Sequence, residues 1–238
     1  MITTAIDRGL GTELAEDLAA TAFTLAKRFA AGATMWSIAP SAEPHALHIA
    51  VEFVHPVIMG KRALPAVALT GPDLVDLVRV SVRPGDIVVA VSGADNAQVR
   101  SVMRRGPAWG ATTIWIGNGD RPGAGLADHV LWLDDPDPRV SATGGFVLFY
   151  HLLWELTHVC FEHSGLLKPD CTEEVCVTCS DEGRLGEVVS ASGDGSATVR
   201  TARGIENVIT ALIGPVAAGD LLVVHAGTAI SRLDEEGV

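Results

Sequence analysis

The sequence is poor in aromatic residues, in cations and in cysteine. Aromatic side chains make up 5% of its 238 residues, and 17 lysines and arginines stand against 29 aspartates and glutamates. The resulting net charge of −12 argues against binding to nucleic acid or to an anionic membrane, because both require a basic surface that neutralises phosphates. With 48% apolar and only 19% charged residues, the chain is also not intrinsically disordered. We therefore expect a globular protein.

The sequence also lacks long hydrophobic runs. No apolar stretch is long enough to span a bilayer, and the first twenty residues carry four acids and no apolar core typical of a signal peptide. We therefore expect a cytoplasmic protein that does not bind a membrane. All four cysteines fall within one window of twenty residues, at Cys160, Cys171, Cys176 and Cys179. In a reducing compartment such clustering indicates metal or thiol chemistry rather than disulfides.

The first two thirds of the chain alternates between helical and strand-like patterns. A long amphipathic helix is predicted over Leu10–Phe29 and another over Thr143–His163. Between them, short apolar strands alternate with shorter helices, which is typical of a parallel sheet covered on both faces. The predicted strands are residues 33–39, 66–69, 86–92, 112–116 and 129–133, and the predicted helices between them are 44–54, 73–80 and 95–105.

The pattern changes after Leu167. The last sixty residues hold short β-type segments separated by glycine-containing turns, which predicts four or five strands in a small barrel. We therefore divide the chain into an α/β domain (1–167), a linker (168–174) and an all-β, OB-like barrel (175–238).

The barrel region contains three candidate metal ligands. Cys176 and Cys179 form a C-x-x-C pair, and His225 follows a buried strand near the end of the sequence. Thiolate sulfur with imidazole nitrogen suits iron, copper or zinc. The alternative is a structural or merely exposed histidine, and a closed structural zinc site would need four ligands.

The segment from Cys176 to the end resembles the HypC/HupF hydrogenase maturation chaperones. The motif GDLLVVHAGTAISRLDEE at 219–236 is similar to the closing motif of that family almost residue for residue. The resemblance implies a small barrel whose cysteine and histidine carry the cyanide- and carbonyl-ligated iron fragment of the [NiFe]-hydrogenase active site. It further implies a HypD-like partner and delivery to the hydrogenase large subunit. Cys176 or Cys179, with His225, would hold these roles, although the family's cysteine usually follows the initiator methionine.

Two helices of the α/β region carry stripes of possible metal ligands. The side chains of the stripe on the helix 44–54 lie within an arc of about 80° around the helix axis. The side chains of the stripe on the last helix also share one face of their helix. The first consists of His45, His48, Glu52 and His55, and the second of His151, Glu155 and His158. The two stripes predict either a histidine and carboxylate metal site or the solvated or interfacial faces of two amphipathic helices.

Residues about 8–165 resemble phosphoheptose isomerases of the SIS (sugar isomerase) superfamily. The segment HALHIAVEF at 45–53 is similar to a helix motif of those enzymes, and the resemblance assigns His48, Glu52 and His151 to zinc binding or proton transfer. It also implies a three-layer sandwich and a homodimer or homotetramer formed through the two long helices. The phosphate-binding loops differ, because Pro40 removes an amide donor where that family has glycines, and Asp95 puts a carboxylate where a phosphate would sit. Candidate ligand-binding residues there are Ser41, Ser92 and Asn96.

Two hypotheses follow. In the first, the protein is a HypC-like carrier fused to a SIS-like domain whose sugar-phosphate site is degenerate. That SIS-like domain could instead contribute metal handling. In the second, it is a metal-dependent sugar-phosphate isomerase, with Glu52 and His151 as catalytic residues and an accessory barrel. Both leave Cys160 and Cys171 as bystanders, Cys160 in a helix of the core and Cys171 in the linker.

Overall fold

A computed structural model describes residues 12–55, 60–133, 144–167 and 183–233. Cys171, Cys176 and Cys179, the predicted linker and the predicted domain boundary lie outside these ranges. No helix within them is long and apolar enough to cross a membrane.

The N-terminal part contains a five-stranded parallel sheet, as predicted. Its strands are β1 (Met35–Ile38), β2 (Ala66–Ala68), β3 (Ile87–Val91), β4 (Thr112–Asn118) and β5 (His129–Leu133), in the order β2-β1-β3-β4-β5. The apolar side chains of β3 are buried on both faces, which explains its unbroken run of valine, isoleucine and alanine.

Within the described residues, five α-helices cover the two faces of this sheet. They are α1 (Thr12–Ala30), α2 (Glu43–Val54), α3 (Leu74–Ser81), α4 (Ala97–Arg105) and α5 (Gly144–Glu162). Helices α1, α2 and α5 pack in one core with β3 residues Ile87 and Val89, whereas α3, α4 and a 3-10 helix (Gly106–Trp109) pack in the other with Val88 and Ala90. The alternation of β3 side chains thus separates two cores and produces the three-layer sandwich.

The C-terminal part is a closed barrel of five strands. These are β6 (Arg184–Ser192), β7 (Ser196–Thr201), β8 (Gly204–Ile209), β9 (Leu221–His225) and β10 (Thr228–Leu233), in the order β10-β8-β7-β6-β9. The strand β10 pairs with β9 and closes the barrel against β8. The fold class predicted from the sequence is confirmed.

The barrel packs against the α3 and α4 side of the sandwich through a buried ionic contact. Glu187 of β6 accepts hydrogen bonds from Arg105 Nη1 at 2.9 Å and from Trp109 Nε1 at 2.7 Å. Arg105 also donates to the carbonyl oxygen of Gly219 at 2.6 Å. Leu221 of the barrel is buried in the same apolar core as Trp109. The two parts therefore meet at a buried contact, whereas most buried apolar residues of the barrel pack in a core of its own.

Candidate functional site

Three of the predicted metal ligands lie together between α2 and α5. His48 and Glu52 are one turn apart on α2, so their side chains leave the same face of the helix. His151 lies on α5, which crosses this face. Glu52 is buried, with its side chain 8% exposed, whereas the side chains of His48 and His151 are 42% and 43% exposed. The cluster is therefore open to solvent on one side.

The spacing of the three ligand atoms fits a metal ion. His48 Nε2 lies 3.3 Å from His151 Nε2, and Glu52 Oε2 lies 4.0 Å and 3.6 Å from these two nitrogens. Tetrahedral zinc with bonds of about 2.1 Å separates its ligand atoms by about 3.4 Å, so two of the three distances match a zinc site and the Glu52 to His48 distance is slightly too long. Two histidines and a carboxylate with an open fourth position form a ligand set typical of catalytic zinc.

The hydroxyl of Tyr150 contacts a histidine of this cluster. The sequence analysis did not predict this residue as part of the site. Its hydroxyl lies 3.0 Å from His48 Nδ1 and 3.5 Å from His45 Nδ1. Burial, with a smaller contribution from the Glu52 carboxylate, raises the pKa of Tyr150 to about 12, so its hydroxyl stays protonated. When His48 presents Nε2 to a metal, its Nδ1 carries the proton and donates to the Tyr150 oxygen. Tyr150 is the single tyrosine of the sequence and directly precedes His151. This position beside a candidate ligand was the sequence feature that could have indicated its role.

The other members of the two stripes are not in the cluster. His158 is buried, its Nδ1 is 2.9 Å from the carbonyl oxygen of Trp154, and its Nε2 is 3.1 Å from that of Arg62. It therefore links α5 to the segment that follows α2, which is a structural role. His55 and Glu155 are exposed and outside the cluster, so the solvated-face alternative describes these two residues.

The predicted ligand-binding residues of the loops have clear structural contacts. Ser92 is buried, donates its hydroxyl to the carbonyl oxygen of Gly93 at 3.0 Å and accepts from Trp115 Nε1 at 3.2 Å. Asn96 caps α4, since its Oδ1 accepts the backbone N–H of Val99 at 3.1 Å. Ser41 is exposed in the turn before α2. Ligand binding by these residues stays a prediction.

His225 lies at the end of β9, in the tight hairpin to β10. It pairs with Thr228 across the hairpin, and the two residues between them, Ala226 and Gly227, both have positive φ angles, of 47° and 78°. Positive φ at both central positions matches the right-handed twist of the strands that the hairpin connects. The turn therefore leaves the partly exposed imidazole at one rim of the barrel.

The predicted cysteine ligands precede the strand that pairs with β9. Because β6 and β9 are antiparallel, Arg184 at the start of β6 pairs with Val224, next to His225. Gly183 lies so close to β9 that an added Cβ would be 2.8 Å from Val223 Cγ1. Cys179 is four residues earlier, which is about 14 Å of extended chain at most. Cys176 and Cys179 lie outside the described residues, so their approach to His225 stays a prediction.

Cys160 is the one cysteine within the described residues. It is buried on α5, and burial raises the pKa of its thiol. A protonated, buried thiol is a poor nucleophile and metal ligand. The expectation that Cys160 is part of the core is confirmed.

Comparisons with known proteins match the two parts of the chain separately. Residues 183–238 match the model of the HupF/HypC family. No curated protein matches the sequence. A phosphoheptose isomerase from Francisella tularensis has a similar structure, with a TM-score of 0.54 and 17% identity, over 62% of this chain and 90% of that one. The phosphoheptose isomerase GmhA from Neisseria gonorrhoeae has a TM-score of 0.52 and 20% identity, over 60% of this chain and 86% of that one.

Sequence identities this low show the fold alone, so the isomerase likeness carries no activity with it. The two resemblances seen in the sequence are nevertheless confirmed at the level of fold and family. The chain joins an α/β domain with the fold of phosphoheptose isomerases to a C-terminal barrel region, residues 183–238, that matches the HupF/HypC family.

Proposed function

We propose that this protein is a [NiFe]-hydrogenase maturation factor whose barrel carries the iron fragment of the active site as cargo. Cys176 or Cys179, together with His225, would hold the iron with its cyanide and carbonyl ligands. A HypD-like protein would be the partner in loading, and the hydrogenase large subunit would receive the fragment. The match of residues 183–238 to the HupF/HypC family is the observation that carries this proposal.

The geometry of the barrel rim supports the proposed ligand set. A hairpin holds His225 at the rim, and β6, which follows the two cysteines in the sequence, begins beside it. A thiolate and an imidazole nitrogen on a short tether provide soft and borderline ligands, which suit low-valent iron. Two protein ligands leave the remaining iron positions to diatomic ligands and to a partner protein.

Co-expression with a HypD-like partner tests this proposal. The purified complex should contain iron and show infrared bands of bound cyanide and carbon monoxide. Replacing His225 or the ligand cysteine by alanine should remove these bands. A complex without such bands, or no complex at all, would contradict the proposal.

Matched variants separate ligand loss from misfolding. His163→Ala removes an exposed histidine beyond α5, and Cys171→Ser removes the cysteine that we assign to the linker. Both should keep the iron and the bands. Testing Cys176→Ala and Cys179→Ala separately then identifies which thiolate binds the iron, since only the ligand variant should lose it.

The α/β domain supports a second candidate function, a metal-dependent isomerase of aldose and ketose phosphates. The specific observation is the triangle of His48, Glu52 and His151, which fits zinc. Such a reaction moves a proton between two adjacent carbons, so it needs a base at the substrate and a group that stabilises the enediolate oxygen. Bound zinc would stabilise the enediolate oxygen. Glu52 or His151 would serve as the base only in a form of the site in which that residue does not hold the zinc.

The loops around the sheet edge weigh against a phosphosugar as substrate. Pro40 lacks a backbone N–H where the family has glycine, and Asp95 is exposed near the start of α4. A carboxylate at the helix N-terminus repels a phosphate that would otherwise bind there. The isomerase therefore ranks second.

Zinc titration and an isomerase assay test the second candidate. The protein should bind one zinc ion per chain through the α/β domain, and His151→Ala should abolish both binding and turnover of a ketose phosphate. His163→Ala should preserve both. Zinc binding without turnover of any aldose or ketose phosphate would reject the isomerase and leave a metal-handling role for this domain.

A further inference from the structure

A cleft of about 860 Å³ lies between α4 and the barrel. One wall is the outer face of α4, and the other consists of the turn before β9 and the end of β10. The cleft follows α4 over its full length, about 13 Å at 1.5 Å per residue. It lies away from the triangle of His48, Glu52 and His151, whose helices cover the opposite face of the sheet.

The cleft concentrates arginine in an otherwise acidic protein. Helix α4 contains Arg100, Arg104 and Arg105 and no carboxylate, and all three line the cleft, as does Arg232 from β10. Two acids, Asp95 and Asp220, also line it. Asp220 accepts the backbone N–H of Ala217 at 2.9 Å, which holds it in its own turn. With Glu187, the partner of Arg105, four arginines face three carboxylates, so the cleft carries a small excess of positive charge in a chain whose net charge is −12.

The arginines are held on rigid elements from both domains. Arg105 is fixed by Glu187 and by the carbonyl oxygen of Gly219, and its Nε donates to Ser101 Oγ at 3.1 Å. Arg100 and Arg104 are four residues, about one helical turn, apart on the same helix, and Arg104 directly precedes Arg105. Arg232 lies on the opposite wall, with Nη1 3.6 Å from Asp220. A ligand in the cleft would thus contact both domains at once.

The size and chemistry of the cleft favour a small phosphorylated ligand. Its volume falls within the range of about 300–1,000 Å³ found for small-molecule sites. A stable protein interface uses about 20–30 residues on each side, more than one helix face and two short segments provide. Guanidinium groups match phosphate oxygens in pairs, and a phosphate offers oxygens in several directions, so arginines on both walls can bind it together.

We propose that this interdomain cleft binds a small phosphorylated molecule through Arg100, Arg104 and Arg232. Arg105 is a positioning residue, because its guanidinium is already committed to Glu187 and Gly219. Binding draws the two walls together and so strengthens the contact between the α/β domain and the barrel. The site is independent of both the metal triangle and the barrel rim.

Isothermal titration calorimetry with inorganic pyrophosphate tests the proposal. The full chain is titrated in metal-free buffer at low ionic strength, where charge interactions are least screened. We expect one pyrophosphate per chain, and at least tenfold weaker binding to the Arg100→Gln, Arg104→Gln double variant. Arg28→Gln, which removes an exposed arginine from α1, is the matched control and should bind like the original protein.

Three outcomes would overturn the proposal. One is the absence of pyrophosphate binding to the folded protein, with the fold checked by circular dichroism. Another is equal affinity in the double variant, or loss of affinity in Ser41→Ala instead, which would place the anion at the sheet edge. The third is binding of a hexaglutamate peptide but not of pyrophosphate, which would identify the cleft as a docking groove for an acidic protein segment.

Discussion

Replacing Glu187 by glutamine should weaken the interface between the two domains. Glu187 is 5% exposed, and its carboxylate accepts from both Arg105 and Trp109. Glutamine has the same shape but only one acceptor oxygen, so its amide group would face one of these donors. The Arg105 guanidinium, 14% exposed, would also lose its counter-charge.

The expected loss of unfolding free energy follows from the missing acceptor oxygen and the missing counter-charge. Removing one partner of a buried ion pair costs about 3–5 kcal/mol, and a buried donor left without an acceptor contributes about 1–3 kcal/mol of that. The matched control is Asp76→Asn, which breaks the ion pair of Asp76 with Arg79 at 2.9 Å on the surface of α3. These side chains are 69% and 42% exposed, so the control should cost about 1 kcal/mol or less.

Urea unfolding followed by two signals measures the effect. All five tryptophans precede residue 183, so their fluorescence reports the α/β domain, whereas far-ultraviolet circular dichroism reports both domains. Glu187→Gln should lower the free energy of unfolding by about 3–5 kcal/mol, and the two signals should separate if the barrel then unfolds independently. A loss no larger than that of Asp76→Asn, with coincident signals, would refute the reasoning.

Three further predictions concern the metal cluster, the interface between the two domains and the barrel. Tyr150→Phe should weaken zinc binding about tenfold by removing the oxygen that orients the metal-binding histidine; zinc titration checks this, and a fall in melting temperature at unchanged affinity would contradict it. Gly110→Ala should cost about 1–3 kcal/mol more than Gly214→Ala in urea unfolding, because both have φ of 78° but only at Gly110 would the new Cβ meet backbone, at 2.9 Å; equal losses would contradict the crowding. The hydrogen bonds from Arg184 lower the pKa of Glu206, so this carboxylate stabilises the fold above its ordinary pKa of about 4.3 and the stabilisation is lost as pH falls through the lowered value. The destabilisation by Glu206→Gln should therefore shrink in acid, as measured by unfolding at several pH values, and a pH-independent difference would speak against it.

Local patterns were enough to predict most of the architecture. The unbroken apolar run of β3 indicated a strand buried on both faces, and α2 was predicted from Pro44 to Val54 and begins one residue earlier. The number of barrel strands stayed at four or five, because the hairpin between β9 and β10 at Ala226 and Gly227 is only two residues long and carries no proline or long polar break.

The candidate site was predictable in part. Helical spacing brought His48 and Glu52 onto one face, and resemblance selected His151 from the second stripe. Spacing alone could not separate His151 from His158, which is on the same helix but is bonded to backbone carbonyls in the core. Tyr150 was missed because an aromatic residue in an apolar helix is predicted as core whether or not its hydroxyl reaches a histidine.

The sequence by itself determined the two-part organisation, the strand and helix periods and the family-like barrel motif, because each depends on residues close together along the chain. Only the tertiary structure decided which ligands converge and how the domains join. The triangle of His48, Glu52 and His151 requires α5 to cross α2, a hundred residues away, and the contact of Arg105 with Glu187 requires the barrel to close against α4. The packing of distant apolar faces sets these distances, and one-dimensional spacing does not contain them.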